Sequence, residues 1–305
     1  MAGAKIYIAI IIVLTMLFPT GCGSSKKVSG NELLITFGLM PAVDSAPFLL
    51  ADEKGYFKEQ GLDVTLKMFS NPQDRQSALQ THSIDGAITD FIAVCVNVEN
   101  GFDIKATTMT NGMFPLLIKK GSEDKKIIKA GMMELSVTNF LLDEWLDSSY
   151  TVDKIYIDEI PARLAAVSSG RLDMGVFPEP VASMGELEGL EKKIYDLEDG
   201  YCPDTAVFTG KALKDKEEAV GLFLKAYNKA VDDISKNRQE ARDILMEKIP
   251  NLKPEIRDKI VLPEYTRTLL PDDKYIDKII KWTSGILKKE LKVKAEDLVE
   301  RKFLK

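Results

Sequence analysis

Short apolar runs alternate with helix-start signals along most of this 305-residue chain, and that alternation restricts the fold more than any other feature. Residues 33–39, 84–89 and 104–109 are apolar runs of strand length, and Val64, Leu66 and Met68 alternate with polar neighbours at strand periodicity. Helix starts stand between them. Asn71-Pro72-Gln73-Asp74 puts Asn at a cap, Pro in the first turn and an acid near the positive helix end. Pro47 and Asp90 open two more helices. The pattern then repeats, with strands expected over 114–119, 126–130, 154–157, 172–177, 193–197 and 205–209, and helices from Ser136 and over 160–169. From Lys214 onward the chain is helical: Ala219, Leu222, Phe223, Ala226, Tyr227 and Ala230 recur at helix spacing, and further helices are expected over 239–248, 254–261 and 272–288. Such alternation predicts an α/β fold of mainly parallel sheets flanked by helices, with a helical C-terminal region. Two such blocks, joined near Thr110-Asn111-Gly112 and again near residues 200–205, predict two lobes. Residues 31–111 and 202–305 form the first, which is discontinuous, and residues 112–201 the second.

The totals exclude some classes. At 45% hydrophobic and 29% charged residues the composition is that of a folded chain. A formal net charge of -6 without a basic block disfavours a nucleic-acid partner. Lys5 precedes an apolar run from Ile6 to Phe18, which falls short of the about 20 residues needed to span a bilayer but suits a signal-peptide core. Gly21-Cys22-Gly23-Ser24-Ser25 follows and resembles the bacterial lipoprotein processing site, with Pro19 where that family usually carries Leu. The resemblance implies removal of residues 1–21, lipidation of Cys22, a tether over residues 22–30 and an extracytoplasmic body anchored by lipid alone. Cys95 and Cys202 lack metal-site spacing and read as buried or half-buried thiols.

Residues 174–180, Met-Gly-Val-Phe-Pro-Glu-Pro, end an apolar strand on a carboxylate held between two prolines. Proline fixes φ and keeps the preceding residue extended. Ligands on open α/β sheets bind beyond the strand C-termini, beside helix N-termini. Glu179 and Phe177 are therefore expected at a cleft between the lobes, although Glu179 could equally cap the helix that follows.

Four segments in order carry a wider resemblance: "SAPFLLADEKGYFKEQGLDV" (45–64), "SALQTHSIDGAITD" (77–90), "AAVSSGRLDMGVFPEPVAS" (165–183) and "VGLFLKAYNKAVDDI" (220–234). Together they resemble the nitrate/sulfonate/taurine and thiamine-precursor group of substrate-binding proteins of ABC importers, with the type II periplasmic-binding-protein fold. The resemblance implies a two-lobed clamp, here expected as a monomer, that takes a small molecule without a cofactor and delivers it to permease and ATPase subunits. It places the cleft at Met40 to Ala46, including Asp44 and Ser45, at Asn71 to Gln73, at Thr89-Asp90, at Ser136 to Asn139, including Thr138, and at Glu179-Pro180. Asn111 and Tyr201 lie at the two crossings between lobes, and Tyr201 is a candidate for stacking on a flat ligand, as are Phe91, Phe114 and Phe177.

The free N–H groups at the Ser136 helix start could meet a ligand oxygen. No Arg or Lys falls in the expected cleft loops, whereas Asp44, Asp90 and Glu179 do. That balance favours a ligand with hydrogen-bond donors or positive charge, an amine or amino-heterocycle. A nitrate- or sulfonate-type anion is the alternative, and a ligand-sensing lipoprotein is another use of the same clamp. An enzyme is disfavoured. His82 is the single histidine, and no nucleophile-elbow, zincin, P-loop or dinucleotide-binding signature occurs. A related eukaryotic pyrimidine-synthase branch carries a cysteine-rich motif that is missing here. Carboxylate-only glycosidase-like chemistry is the enzymatic reading that survives.

Overall fold

The computed structural model describes residues 33–122, 125–146 and 151–304. The expected signal segment, Cys22 and the tether lie outside the described residues.

The strands and helices follow the sequence pattern closely. In chain order they are β1 (Leu34–Leu39), α1 (Ala46–Glu53), α2 (Tyr56–Glu59), β2 (Asp63–Met68), α3 (Pro72–Gln80), β3 (Gly86–Asp90), α4 (Phe91–Glu99) and β4 (Ile104–Met109). Next come β5 (Leu116–Ile118), β6 (Ile127–Met132), α5 (Val137–Trp145), β7 (Thr151–Tyr156), α6 (Ile160–Ser168), β8 (Met174–Val176), α7 (Val181–Leu187) and β9 (Glu191–Lys193). The chain then returns through β10 (Asp204–Thr209), α8 (Gly210–Asp215), α9 (Glu217–Lys236), α10 (Gln239–Lys248), α11 (Asp273–Leu287) and α12 (Ala295–Leu298). The segment expected as a helix over 254–261 is a 3-10 turn, Pro254–Lys259, and the strand expected at 193–197 sits earlier, at β9.

The strands form two five-stranded sheets, ordered β2-β1-β3-β10-β4 and β7-β6-β8-β5-β9. β1 pairs in parallel with β2 and β3, while β10 runs against both β3 and β4. β6 likewise pairs in parallel with β7 and β8, while β5 runs against β8 and β9. In each sheet, then, one strand opposes four others. The reason lies in the crossings. The other strands run toward the cleft edge, so a chain that crosses there enters the next lobe at its cleft edge and must run away from it. β5 and β10 are the strands that follow the two crossings.

The first lobe packs its sheet on an aromatic cluster of Phe37, Phe48, Phe57, Phe208 and Phe223, all 2% exposed or less. The long helix α9 supplies the stripe that periodicity predicts, burying Ala219, Phe223, Ala226, Tyr227 and Ala230. Helix α5 belongs to the second lobe, yet its Val137, Phe140 and Leu141 join the apolar cluster of α4 and α11 in the first. On that flank the lobes also meet through Trp282 Nε1, which donates to Asp143 Oδ2 at 3.0 Å, and Lys278, which pairs with Glu144 and with Asp199.

Candidate functional site

A cavity of about 1020 Å³ lies between the two sheets. Residues from strand C-termini line it: Met40 after β1, Thr89 and Asp90 on β3, Met133 after β6, Tyr156 on β7 and Pro178 after β8. The first residues of α3, α5 and α6 complete the walls. Parallel strands leave their carboxyl ends and the following helix starts on one edge, and here two such edges face each other.

The first lobe brings four ionisable side chains to this wall: Asp44, Arg75, Asp90 and Asp204. Asp44 is 3% exposed; its Oδ2 accepts a hydrogen bond from Thr110 Oγ1 at 3.3 Å, while its Oδ1 is buried with no partner. Burial pushes the Asp44 carboxyl up to about 6, against the opposing pull of Thr110 and Arg75. Asp90 caps α4, accepting from Ala93 N–H at 2.8 Å. Burial raises its pKa also, and the N–H of Val137, reaching from α5 of the other lobe, is among the groups that oppose the rise. Asp204 is driven well above the carboxylate range by burial and then by the charges of Asp44 and Asp90. Gly112, at the first crossing, leaves the space its carboxylate needs, since a Cβ there would overlap the Asp204 side chain. Arg75 donates through Nη2 to Thr89 Oγ1 at 2.9 Å, and its Nε is buried without a partner. Burial lowers its pKa, opposed by Asp90, Asp204 and Asp44. This wall therefore carries three carboxyl groups, each with a raised pKa, against one guanidinium.

The second lobe contributes Ser136, Val137, Thr138, Tyr156, Asp158 and Arg163. Ser136 Oγ caps α5 by accepting from Thr138 N–H at 3.2 Å, and Thr138 Oγ1 accepts from Met133 N–H. The Val137 N–H is one of the groups that lower the Asp90 pKa, and the Asn139 and Phe140 N–H groups both reach Ser136 O at 3.2 Å. Gln73 Nε2 donates to Asp158 Oδ2 across the cleft at 3.3 Å.

Met40, Asp44, Gln73, Thr89, Asp90, Ser136 and Thr138 thus line the cavity as the sequence led one to expect, and Phe114 does as well. The other expected residues lie elsewhere. Ser45 is buried and donates to Met40 O at 2.7 Å. Asn71 caps α3 through Asp74 N–H. Asn111 has a left-handed backbone, φ 51°, and donates to Glu264 O. Asn139 turns away to Glu134 O and Lys154 Nζ. Phe91 and Phe177 are core side chains, each 0% exposed. Tyr201 packs on Tyr275 at 5.3 Å outside the cleft.

Glu179 is the largest correction. Its carboxylate is 0% exposed and fully engaged at a joint between lobes. It accepts from Ser183 N–H and Oγ, from Lys192 Nζ at 3.0 Å and, across the interface, from Val261 N–H at 3.2 Å. Lys192 Nζ continues to Lys259 O at 2.8 Å. The proline turn does fix this carboxylate beyond a strand C-terminus, but aims it at the seam beside the cavity.

Arg75, Arg163 and Asp204 escape a search of the loops. Both arginines sit on helices, where no local pattern separates a cavity-facing residue from a surface one. Asp204 opens β10 at the second crossing and reaches the cavity because that strand starts, rather than ends, at the cleft edge.

Two α/β lobes facing one cavity define the class: a two-lobed α/β fold of the periplasmic-binding-protein type. A family model described as NMT1/THI5 like matches residues 42–241, and the chain belongs to that family. Among curated proteins it is similar to the 4-amino-5-hydroxymethyl-2-methylpyrimidine phosphate synthase THI13 of Saccharomyces cerevisiae, 24% identical over 277 residues, covering 79% of this chain and 76% of the relative. Among solved structures it resembles the ligand binding component of an ABC-type import system from Staphylococcus aureus, with TM-score 0.73 and 20% identity over 88% of this chain and 96% of that one. It also resembles the periplasmic aliphatic sulphonate binding protein SsuA of Escherichia coli, with TM-score 0.70 and 14% identity over 88% and 92% of the two chains.

Proposed function

We propose that this chain captures a small organic solute between its lobes and hands it to an ABC importer. The observation that carries this is a cavity of about 1020 Å³ walled from both lobes and bordered by Asp44, Arg75, Asp90 and Asp204 from one lobe and Asp158 and Arg163 from the other. The import-system neighbour supports delivery to a permease and ATPase, and an extracytoplasmic site of action. A lipid on Cys22 would serve as the anchor.

For the ligand, Asp44 and Asp90 on the first lobe favour a molecule with hydrogen-bond donors or positive charge, an amine or amino-heterocycle. A second reading has support of its own. The name of the sulphonate-binding neighbour favours an oxyanion, and so do two buried arginines on the cavity wall. Size narrows that reading: an inorganic oxyanion displaces on the order of one or two waters, each about 30 Å³. A larger organic anion suits the space better.

Capture without conversion is the favoured mode. His82, at the end of α3, is exposed, and burial pushes the Cys95 thiol up to about 12, so neither supplies a base or nucleophile at the cavity. The yeast relatives are named as synthases. Ligand stabilises the closed lobes by its differential affinity for them. Mass spectrometry of molecules released from the purified protein tests the proposal. One small molecule, released intact and raising the melting temperature when added back, is expected. Release of a chemically altered molecule would favour an enzyme instead.

A further inference from the structure

Arg163, on α6, is 1% exposed and lies on the cavity wall of the second lobe. Its Nη1 donates to Ile157 O at 2.7 Å, and its guanidinium carbon stands 5.2 Å from the centre of the Phe177 ring. Its Nε is buried with no partner. Among the described residues no carboxylate approaches within the 4.0 Å of an ion pair; Asp158 acts on it only through space. Burial draws its pKa down to about 10, so it stays charged at neutral pH. Space for its stem exists because residue 131 is glycine: a Cβ there would stand 3.1 Å from Arg163 Cγ.

Among the described residues, neither buried arginine of the site makes an ion pair within 4.0 Å, but three carboxyl groups, Asp90, Asp204 and Asp44, act on Arg75 through space, against Asp158 alone on Arg163. An uncompensated buried charge is strongly unfavourable, and a wall that keeps one is short of an anion or acceptor. A guanidinium presents a planar fork of donors that matches a carboxylate.

We propose that Arg163 forms a second pole of the ligand site and takes a planar oxygen acceptor, a carboxylate or ring carbonyl. This rests on the donor-end reading, in which the other end of the ligand lies against Asp44. The ligand is then a dipolar organic molecule, with donors at one end and an oxygen acceptor at the other. Arg163 selects for the acceptor, and Asp44 for the donors. This arrangement also accounts for a cavity that carries both carboxylates and arginines.

Three small probes separate the poles: benzamidine carries only the donor end, benzoate only the acceptor end, and 4-amidinobenzoate both. Calorimetric titration would use the full chain, freed of co-purified molecules by denaturation and refolding. 4-Amidinobenzoate is expected to bind at least about tenfold more tightly than benzamidine, a difference of about 1.4 kcal/mol. In Arg163→Met that ratio should fall toward one. Arg163→Lys keeps the charge but loses the fork, and should give an intermediate ratio; it carries the test if the methionine variant has no cooperative melting transition. A ratio near one in the wild type, or one unchanged in the folded variants, overturns the role of Arg163 and leaves the donor-end reading standing. Failure of benzamidine to bind the wild type overturns the donor-end reading, and this proposal with it.

Discussion

Asp44 and Glu179 show how similar residues, chosen by similar sequence logic, come to differ in function. Asp44 is buried on the cavity wall with one oxygen unpaired. Its folded-state pKa of about 6 exceeds the ordinary 3.8, so the folded state holds the proton more tightly than the unfolded one. Stability from this group is therefore present below about pH 4 and lost as pH rises through about 6. In urea titrations from pH 4 to 8, Asp44→Asn should gain about 3 kcal/mol relative to wild type across that window. A constant difference would mean that Asp44 does not titrate there. A cationic ligand favours the ionised form, so its affinity should rise over the same interval in the wild type only. Glu179 behaves otherwise. Removing it leaves Lys192, 6% exposed at its side chain, with only the partly exposed Glu186 at 3.2 Å as counter-charge, and leaves the Ser183 and Val261 N–H groups unpaired. Glu179→Ala is expected to cost about 3 kcal/mol of stability, seen as a lower melting temperature. Loss of ligand binding with unchanged melting would place Glu179 at the ligand after all.

At the scale of elements, the strands and helix starts were legible because each is a local pattern. Asn71, Asp90 and Ser136 do cap α3, α4 and α5 through their own side chains, as their positions suggested. Ser136→Ala should destabilise by about 1 kcal/mol through loss of the cap. The reversed directions of β5 and β10 were not stated by any local pattern, yet follow from the crossings. The crossings also set Gly112 against Asp204. Gly112→Ala should displace that carboxylate and weaken ligand binding, with an Asp204→Ala background, which lacks the carboxylate atoms the new Cβ would meet, less sensitive to the same change. Equal losses in both backgrounds would separate Gly112 from Asp204. Arg75 and Arg163 were invisible at this scale, because helix periodicity tells which face is buried but not whether a charge on that face meets a cavity.

For the whole molecule, the important fact is that the lobes touch on both flanks of the cavity. Glu179 and Lys192 hold one side, and Trp282, Lys278 and the apolar face of α5 hold the other. Gln73 and Asp158 meet between them. The proposed opening of the lobes would have to break such contacts, so removing one should favour it. Trp282→Ala deletes both the hydrogen bond to Asp143 and the edge contact with Phe140 at 5.5 Å. A larger radius of gyration in small-angle X-ray scattering without ligand is expected, with compaction restored on ligand addition. An unchanged radius in both states would show that this flank does not limit opening.

The sequence by itself determined the succession of strands and helices, the two blocks of α/β pattern and the group of folds they resemble. Those depend on periodicity and capping, which act over a few residues. Asp44 and Asp90 were expected at the cleft from the resemblance, but the tertiary structure alone brought Arg75, Asp204 and Arg163 beside them. Asp44, Arg75, Asp90 and Asp204 come from distant parts of the chain, and Arg163 from the other lobe. Their desolvation and mutual fields exist only once both sheets have formed and closed on one another, so no local pattern in the sequence records them.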